Sequence, residues 1–350
     1  MSNTPRLDEL TARGRAFLGT RHAILGGAMS WVSERHLVAA ISNAGGFGVI
    51  ACGAMTPELL QAEIIATRAR TEKPFGVNLI TMHPQLLELI EVCRQQSVGH
   101  VVLAGGIPRG PAVAAVREFA RLIAFAPNLA LARKLLRSGA DALVIEGSEA
   151  GGHIGPVSLA VLAQEILPEM RDAVVFAAGG IGHGEAIAAL VDMGAAGVQI
   201  GTRFVTATES IAHANFKQAF IRANARDAVT SVQFDSALPV IPVRALKNAG
   251  SEAFMDKQRE LSAQLALGEV ELPAAQLEIE HFWVGALRRA VIDGDIERGS
   301  LMAGQSVGMV KKEEPVQAII DELVLEAEAA LQRRHSPVPG CAPAPDPRGG

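Results

Sequence analysis

Eight short apolar runs alternate with helical patterns between about residue 22 and residue 204, and this alternation confines the chain to a parallel sheet flanked by helices. The runs fall at 22–26, 48–51, 75–80, 100–103, 122–125, 142–145, 174–177 and 197–200. Helix signals separate them. Ser33 is placed to cap a helix over 34–43 that ends before Gly45. Thr56-Pro57-Glu58 supplies a cap, a proline at the first helical position and an acid in the first turn. Asn128 precedes a helix over 129–137 with Gly139 just beyond it, and a helix over 185–193 stops at Gly194. Eight βα units, with no GxGxxG turn after the first run, favour a (β/α)8 barrel over a doubly wound sheet.

After the eighth run the rhythm breaks. Residues 212–287 read as helical, with an apolar, proline-containing strip at 238–243, and the stretch is too long for an ordinary connection. It is expected to be an inserted, mostly helical subdomain after strand eight that covers the substrate site. The barrel is then assembled from 1–211 and 288–335, with helical periodicity over 314–332 closing its outer ring. The run Lys311-Lys-Glu-Glu314 reads as a solvated helix start, and residues 336–350, rich in Pro and Gly, as a disordered tail. Hydrophobic residues make up 49% of the 350, aromatics only 4%, and tyrosine is absent, so the core has to be aliphatic. Phe216, Phe220 and Trp283 are candidates for that core or for a homodimer interface.

A net charge of −5 carries no electrostatic footprint for nucleic acid or an anionic membrane. No charge-free run of about 18 apolar residues exists, and 1–18 lacks the apolar core of a secretory signal. Cys52, Cys93 and Cys341 are odd in number, scattered and without metal-ligand spacing. That usage suits a reduced compartment, with the cytoplasm as the expected location and no metal expected.

Chemistry concentrates at the ends of the runs. Glu149-Ala-Gly-Gly-His-Ile-Gly155 follows the sixth, with three glycines around His153, whose imidazole exchanges protons near neutral pH. Gly151 and Gly152 leave backbone amides open to a ligand. Gly179-Gly-Ile-Gly182 follows the seventh run and Gly201-Thr-Arg-Phe204 the eighth, where barrels commonly bind phosphate. The amides of Gly179, Gly180 and Gly201, with the Thr202 hydroxyl, can cradle one. Gly26-Gly-Ala-Met29 can lay the backbone of Gly27, Ala28 and Met29 against a planar ring, and Asn78 offers an amide that both donates and accepts. His83, His183 and His213 lack this setting; the first two read as helix-start residues, and Cys52 as a small core residue.

Phe75-Gly-Val-Asn78, Glu146-Gly-Ser-Glu-Ala-Gly-Gly-His-Ile-Gly155, Ala178-Gly-Gly-Ile181 and Gln199-Ile-Gly-Thr-Arg-Phe204 together resemble the FMN-dependent nitronate monooxygenase (2-nitropropane dioxygenase) family, which includes FMN-containing enoyl-ACP reductases. Gly27-Ala-Met-Ser-Trp31, Val243-Arg-Ala-Leu-Lys-Asn248 and Met302-Ala-Gly-Gln305 extend the resemblance over roughly 15–310. It implies a TIM barrel with an added helical domain. It also implies FMN contacts from Asn78, Glu146, Gly151, Gly180, Gln199, Ile200, Gly201 and Thr202, the last four near the phosphate. His153 would take the α-proton of a neutral nitroalkane. The implied activity is oxidation of alkyl nitronates with O2 to carbonyl compounds and nitrite. One departure stands out: Glu146 occupies a place where one well-defined class of nitronate monooxygenases carries glutamine and the enoyl reductases tend to carry glutamate. NAD(P)H-driven reduction of an enoyl thioester or quinone is therefore the alternative, and a flavin-binding module without turnover a third reading.

Overall fold

Short aliphatic runs with little polar interruption form strands that can be buried on both faces, and here eight of them close on themselves. The computed structural model describes residues 4–53 and 55–335. Its strands, in chain order, are β1 Ile24–Gly26, β2 Gly48–Ala51, β3 Phe75–Ile80, β4 His100–Ala104, β5 Arg121–Phe125, β6 Ala142–Glu146, β7 Gly152–His153, β8 Val174–Ala178, β9 Gly197–Ile200, β10 Ala228–Thr230 and β11 Val243–Leu246. Eight form one parallel sheet in the order β1-β9-β8-β6-β5-β4-β3-β2. Its two ends meet through a parallel bridge between Leu25 and Phe47, where Phe47 N–H donates to Ile24 O at 2.8 Å and Gly26 N–H to Phe47 O at 2.9 Å. This is the expected TIM barrel.

Side-chain alternation divides the core in two. Leu25, Val49, Val102, Ile123, Ala142, Val144, Phe176 and Ala178 pack with Phe17 and Phe47 in the barrel interior. Their strand neighbours Val77, Val101, Leu143, Val175 and Val198 belong to the larger cluster under the helices. Helix Ala12–Leu18 brings Phe17 to the end of the barrel where the strands begin. The Phe17 ring lies 5.2 Å from that of His100, edge to face, and 6.2 Å from that of Phe176. Burial holds His100 below its ordinary pKa, so the ring is neutral and its Nε2–H donates to Phe17 O at 2.9 Å. With that end filled, the ends of the strands opposite it are what the barrel offers a ligand.

Thr56 and Asn128 cap their helices as read, and Gly139 (φ 109°) ends helix Leu129–Ser138. Ser33 does not cap. Glu34 does, its carboxylate accepting from the N–H groups of His36 and Leu37, because a carboxylate one residue on reaches the same orphan donors. His183 and His213 cap helices Gly184–Asp192 and Ala214–Arg222 through Nδ1. The Lys311–Glu314 run is only partly solvated. Glu314 is buried, its Oε1 2.8 Å from Arg203 Nη1; burial pushes its carboxyl up, but Lys312 and Arg203 outweigh that and leave it lowered.

The segment read as helical holds helices Ala214–Arg222, Ala249–Ala266 and Leu272–Val291, together with β10 and β11. These strands pair antiparallel, and β11 pairs in turn with β7 in the loop after β6, setting Val243 opposite His153 and Arg244 opposite Gly152. Leu238, Val243, Phe254, Leu261, Ala275, Ile279 and Trp283 form a core of their own. Phe216, Phe220 and Trp283 are all buried within this chain, which assigns them to core. Helix Val316–His335 packs against helices Pro5–Leu10 and Gly184–Asp192 in the outer ring. The stretch read as a tail, 336–350, lies outside the described residues. No helix among the described residues is long and apolar enough to cross a membrane.

Phe176 is fully buried where Phe17 meets the barrel interior. Phe176→Ala should lower the stability of the barrel by about 3–5 kcal/mol in urea unfolding; a loss under about 1 kcal/mol would show that the interior is not the packed core described.

Candidate active site at the strand C-termini

The alternation that places Val144 and Phe176 inside also turns the last residues of the same strands inward. In the sheet register Glu146 is level with Ala178, Ala178 with Gln199, and Gln199 with Leu25, so Glu146 and Gln199 share one layer at the mouth. Asn78 is level with Val102, another interior residue. Side chains of Asn78, Glu146 and Gln199 make no hydrogen bond or ion pair with any described residue. Asn78 is nevertheless buried, and Glu146 and Gln199 are largely so. Polar groups sequestered without partners are rare in folded proteins, and three converging on one opening mark a place for a polar ligand. Burial pushes the Glu146 carboxyl up to about 8, which leaves it mostly protonated at neutral pH and able to donate.

Loops around this layer are welded by close backbone approaches. Gly27 N–H donates to Ile200 O at 2.8 Å, and a side chain at Gly27 would start 3.2 Å from Gly201 Cα. Ser33 Oγ donates to Gly27 O at 2.7 Å and accepts from Met29 N–H at 3.0 Å, which shapes the turn carrying Ala28 and Met29. Ala28 packs against the barrel interior, and Met29 Sδ lies beside Gly201. Gly179 (φ 97°) and Gly180 (φ 69°) are left-handed, and a Cβ on Gly179 would sit 2.9 Å from Gly147 O. Ile200 turns its side chain outward into the larger cluster, so only its backbone reaches the mouth. Thr202 Oγ1 accepts from Gly304 N–H at 3.0 Å and keeps its own hydroxyl proton to donate.

The His153 loop is equally well held. Gly147 N–H donates to Ala178 O at 3.0 Å, and the Glu149 carboxylate accepts from Leu159 N–H at 2.9 Å. Glu149 O accepts from Gln305 N–H at 2.9 Å, and a side chain on Gly151 would start 2.6 Å from Gly304 N. His153 follows Gly152 (φ 79°) on β7, exposed and clamped by Ile154 N–H donating to Pro242 O at 2.9 Å. Arg244 Nε donates to Ser148 O at 2.9 Å and its Nη1 to Ala228 O at 2.6 Å, joining that loop to the small sheet. Arg244 and Gly304 lie in stretches that carry the family resemblance, and Ser33 reads as a cap, but the contacts they make are not legible locally. They act on backbone atoms through long-range or irregular contacts, which leave no periodic pattern to read.

One end of the barrel is filled and the other is ringed by glycine turns and a protonated carboxyl, a mouth suited to a polar ligand. The chain is a member of the nitronate monooxygenase family, whose sequence model matches residues 12–326, which makes it a flavin-dependent oxidoreductase. It is 30% identical to the (3aS,4S,5R,7aS)-5-hydroxy-7a-methyl-1-oxo-octahydro-1H-indene-4-carboxyl-CoA dehydrogenase of Mycobacterium tuberculosis, over 90% of this chain and 95% of that protein. FabK from Thermotoga maritima superposes with a TM-score of 0.81 at 37% identity, covering 92% of this chain and 97% of that one. Nitroalkane oxidase from Streptomyces ansochromogenes gives 0.75 at 25% identity, covering 91% and 99%.

The Glu146 carboxyl has its ordinary value near 4.5 in an unfolded chain and about 8 in the fold. Its raised value favours folding below the lower figure, and that contribution is lost as pH climbs toward the upper one. Between about pH 5 and about pH 8, flavin-free wild type should therefore lose on the order of a few kcal/mol relative to Glu146→Gln in urea unfolding. Parallel pH profiles for the two proteins would contradict the shift.

Proposed function

We propose that this protein is an FMN-dependent nitronate monooxygenase that oxidises alkyl nitronates, and nitroalkanes after deprotonation, with O2 to carbonyl compounds and nitrite. The observation that carries the reading is the layer of unpartnered Asn78, Glu146 and Gln199 beneath a glycine-lined rim that bears His153. The residues present fit FMN. A Cβ on Gly27 would lie 3.2 Å from Gly201 Cα, so the two turns meet backbone to backbone and present little side-chain bulk to a flat ring or a phosphate. In this reading Gly179, Gly180, Gly201 and the Thr202 hydroxyl hold the phosphate with the backbone of Ile200 beside them. The backbone of Gly27, Ala28 and Met29 lies along the ring, with Gly151 and Gly152 shaping the wall near it. Asn78, Gln199 and the protonated Glu146 supply hydrogen bonds to the polar edge of the ring.

When bound, FMN would accept electrons from the substrate carbon and deliver them to O2. His153 is the base. Its imidazole stands at the rim on a short strand pinned to β11, where it can take the α-proton of a neutral nitroalkane without leaving its support. Residues 212–287 supply the cover over the substrate, tied down through β10, β11 and Arg244.

A second reading has support of its own: reduction of an enoyl thioester or a quinone with NAD(P)H as electron donor. The carboxyl at Glu146 and the likeness to a CoA-thioester dehydrogenase favour it. Anaerobic mixing of the holoenzyme separates the two. The proposal expects a nitronate to reduce the flavin by one electron, read in its visible spectrum, and NADH or NADPH to leave it unchanged; rapid bleaching by a pyridine nucleotide with no response to nitronate would replace it with the second reading.

His153→Asn should lower turnover of neutral nitroalkanes by about 10²–10⁴ while flavin content and turnover of pre-formed nitronates stay near wild type. Equal losses on both substrates would remove His153 from proton abstraction.

A further inference from the structure

Away from the mouth, a cavity of about 350 Å³ runs along the barrel flank between helix Gly110–Arg117 and helix Leu129–Ser138. That volume lies within the range of small-molecule sites. Its accessible apolar wall is made by Ile107, Pro108 and Ala114, with Val113, Leu122 and Leu135 buried behind it. Leu122 is an outward-facing residue of β5, and its neighbour Ile123 faces the barrel interior, so the barrel wall separates this cavity from the mouth. At its upper end Ile107, from the loop after β4, stands 55% exposed. Helix Gly110–Arg117 has 8 residues, so the groove beside it is about 12 Å long.

Charge on the lining is of one sign. Arg117 and Lys134 both line the cavity, and no Asp or Glu does. Neither cation has a hydrogen bond or ion pair with any described residue, whereas the adjacent Arg133 pairs with Glu169 at 2.7 Å. Arg117 and Lys134 are both exposed, and the Arg117 side chain runs over Gly139, where a Cβ would lie 2.6 Å from its Cδ and 2.8 Å from its Nη1.

We propose that this groove is a second ligand site, one that takes a medium-chain carboxylate. The acyl chain would lie against Ile107, Pro108 and Ala114 with the carboxylate between Arg117 and Lys134. A neutral hydrocarbon would leave the two cations without a counter-charge, and a more polar anion would leave the apolar wall uncovered. A carboxylate that meets a guanidinium and an ammonium together, on a hydrocarbon chain, satisfies both parts.

Calorimetric titration of the holoenzyme at low ionic strength with decanoate, and separately with decanol, tests the site. Saturable decanoate binding at one site is expected, with decanol weaker by about tenfold or more. Arg117→Glu combined with Lys134→Glu should weaken decanoate by about tenfold or more, and Ala114→Phe, which fills the groove from its rim, should abolish binding. Flavin absorbance should be unchanged in each variant. Should the double variant melt early, Lys134→Glu alone, at an exposed position, should still weaken decanoate measurably. The proposal is overturned by absence of saturable binding, by decanol binding as tightly as decanoate, or by decanoate affinity that ignores charge reversal and Ala114→Phe alike.

Discussion

Strict two-residue alternation in a closed parallel barrel is the constraint on which the rest depends. Once Val144, Phe176 and Val102 are committed to the interior, Glu146, Gln199 and Asn78 have no choice but to face the same axis at the open end. A one-residue slip in any of these strands would send its polar residue out under the helices and its outward aliphatic residue into the mouth. The site is thus specified by hydrophobic packing that never touches a ligand. Phe17 and neutral His100 plug the other end, which leaves the strand C-termini as the open end.

Rigidity at that opening comes from close backbone contacts that leave little or no room for a side chain. Gly27 against Gly201 and Gly151 against Gly304 bring the loops after β1, β6 and β9 to a common point with the 302–305 segment. Thr202 accepting from Gly304 N–H fixes that junction by a hydrogen bond, and β7 pairing with β11 fixes the His153 loop from the other side. The arrangement suits preorganised chemistry, in which a proton-transfer group is held before the substrate arrives. The buried ion pair of Arg203 with Glu314 anchors the same β9 loop to the chain leading into the last helix.

Much of this was legible in the sequence. Strands β2, β3 and β9 have the bounds that their apolar runs predict, and the Thr56 and Asn128 caps follow from chemistry confined to a few neighbouring residues. Glycine turns at 179–182 and 201–204 could be read because a tight strand-to-helix turn has a local composition. Less accessible were β10 and β11, three and four residues long, which pair with each other and, through β11, with a two-residue strand far away in the chain. Such pairing leaves no alternation to detect, so the strip at 238–243 passed for part of a helical segment. Ser33 misled because its position suits a cap, while the actual choice between Ser33 and Glu34 depends on a loop geometry created by Gly27. Glu146 was recognisable as a residue, but its protonation state depends on burial that only the closed barrel creates.

In the proposed function, the glycine loops after β8 and β9 and the Thr202 hydroxyl bind the phosphate of a flavin whose ring meets the Asn78, Glu146 and Gln199 layer. Comparing FMN with riboflavin, which lacks only that phosphate, tests it most directly. Titrated into deflavinated protein and followed by quenching of flavin fluorescence, FMN should bind about a hundredfold or more tighter than riboflavin. Equal affinities for the two would mean that these loops hold no phosphate and that the account of the mouth is wrong.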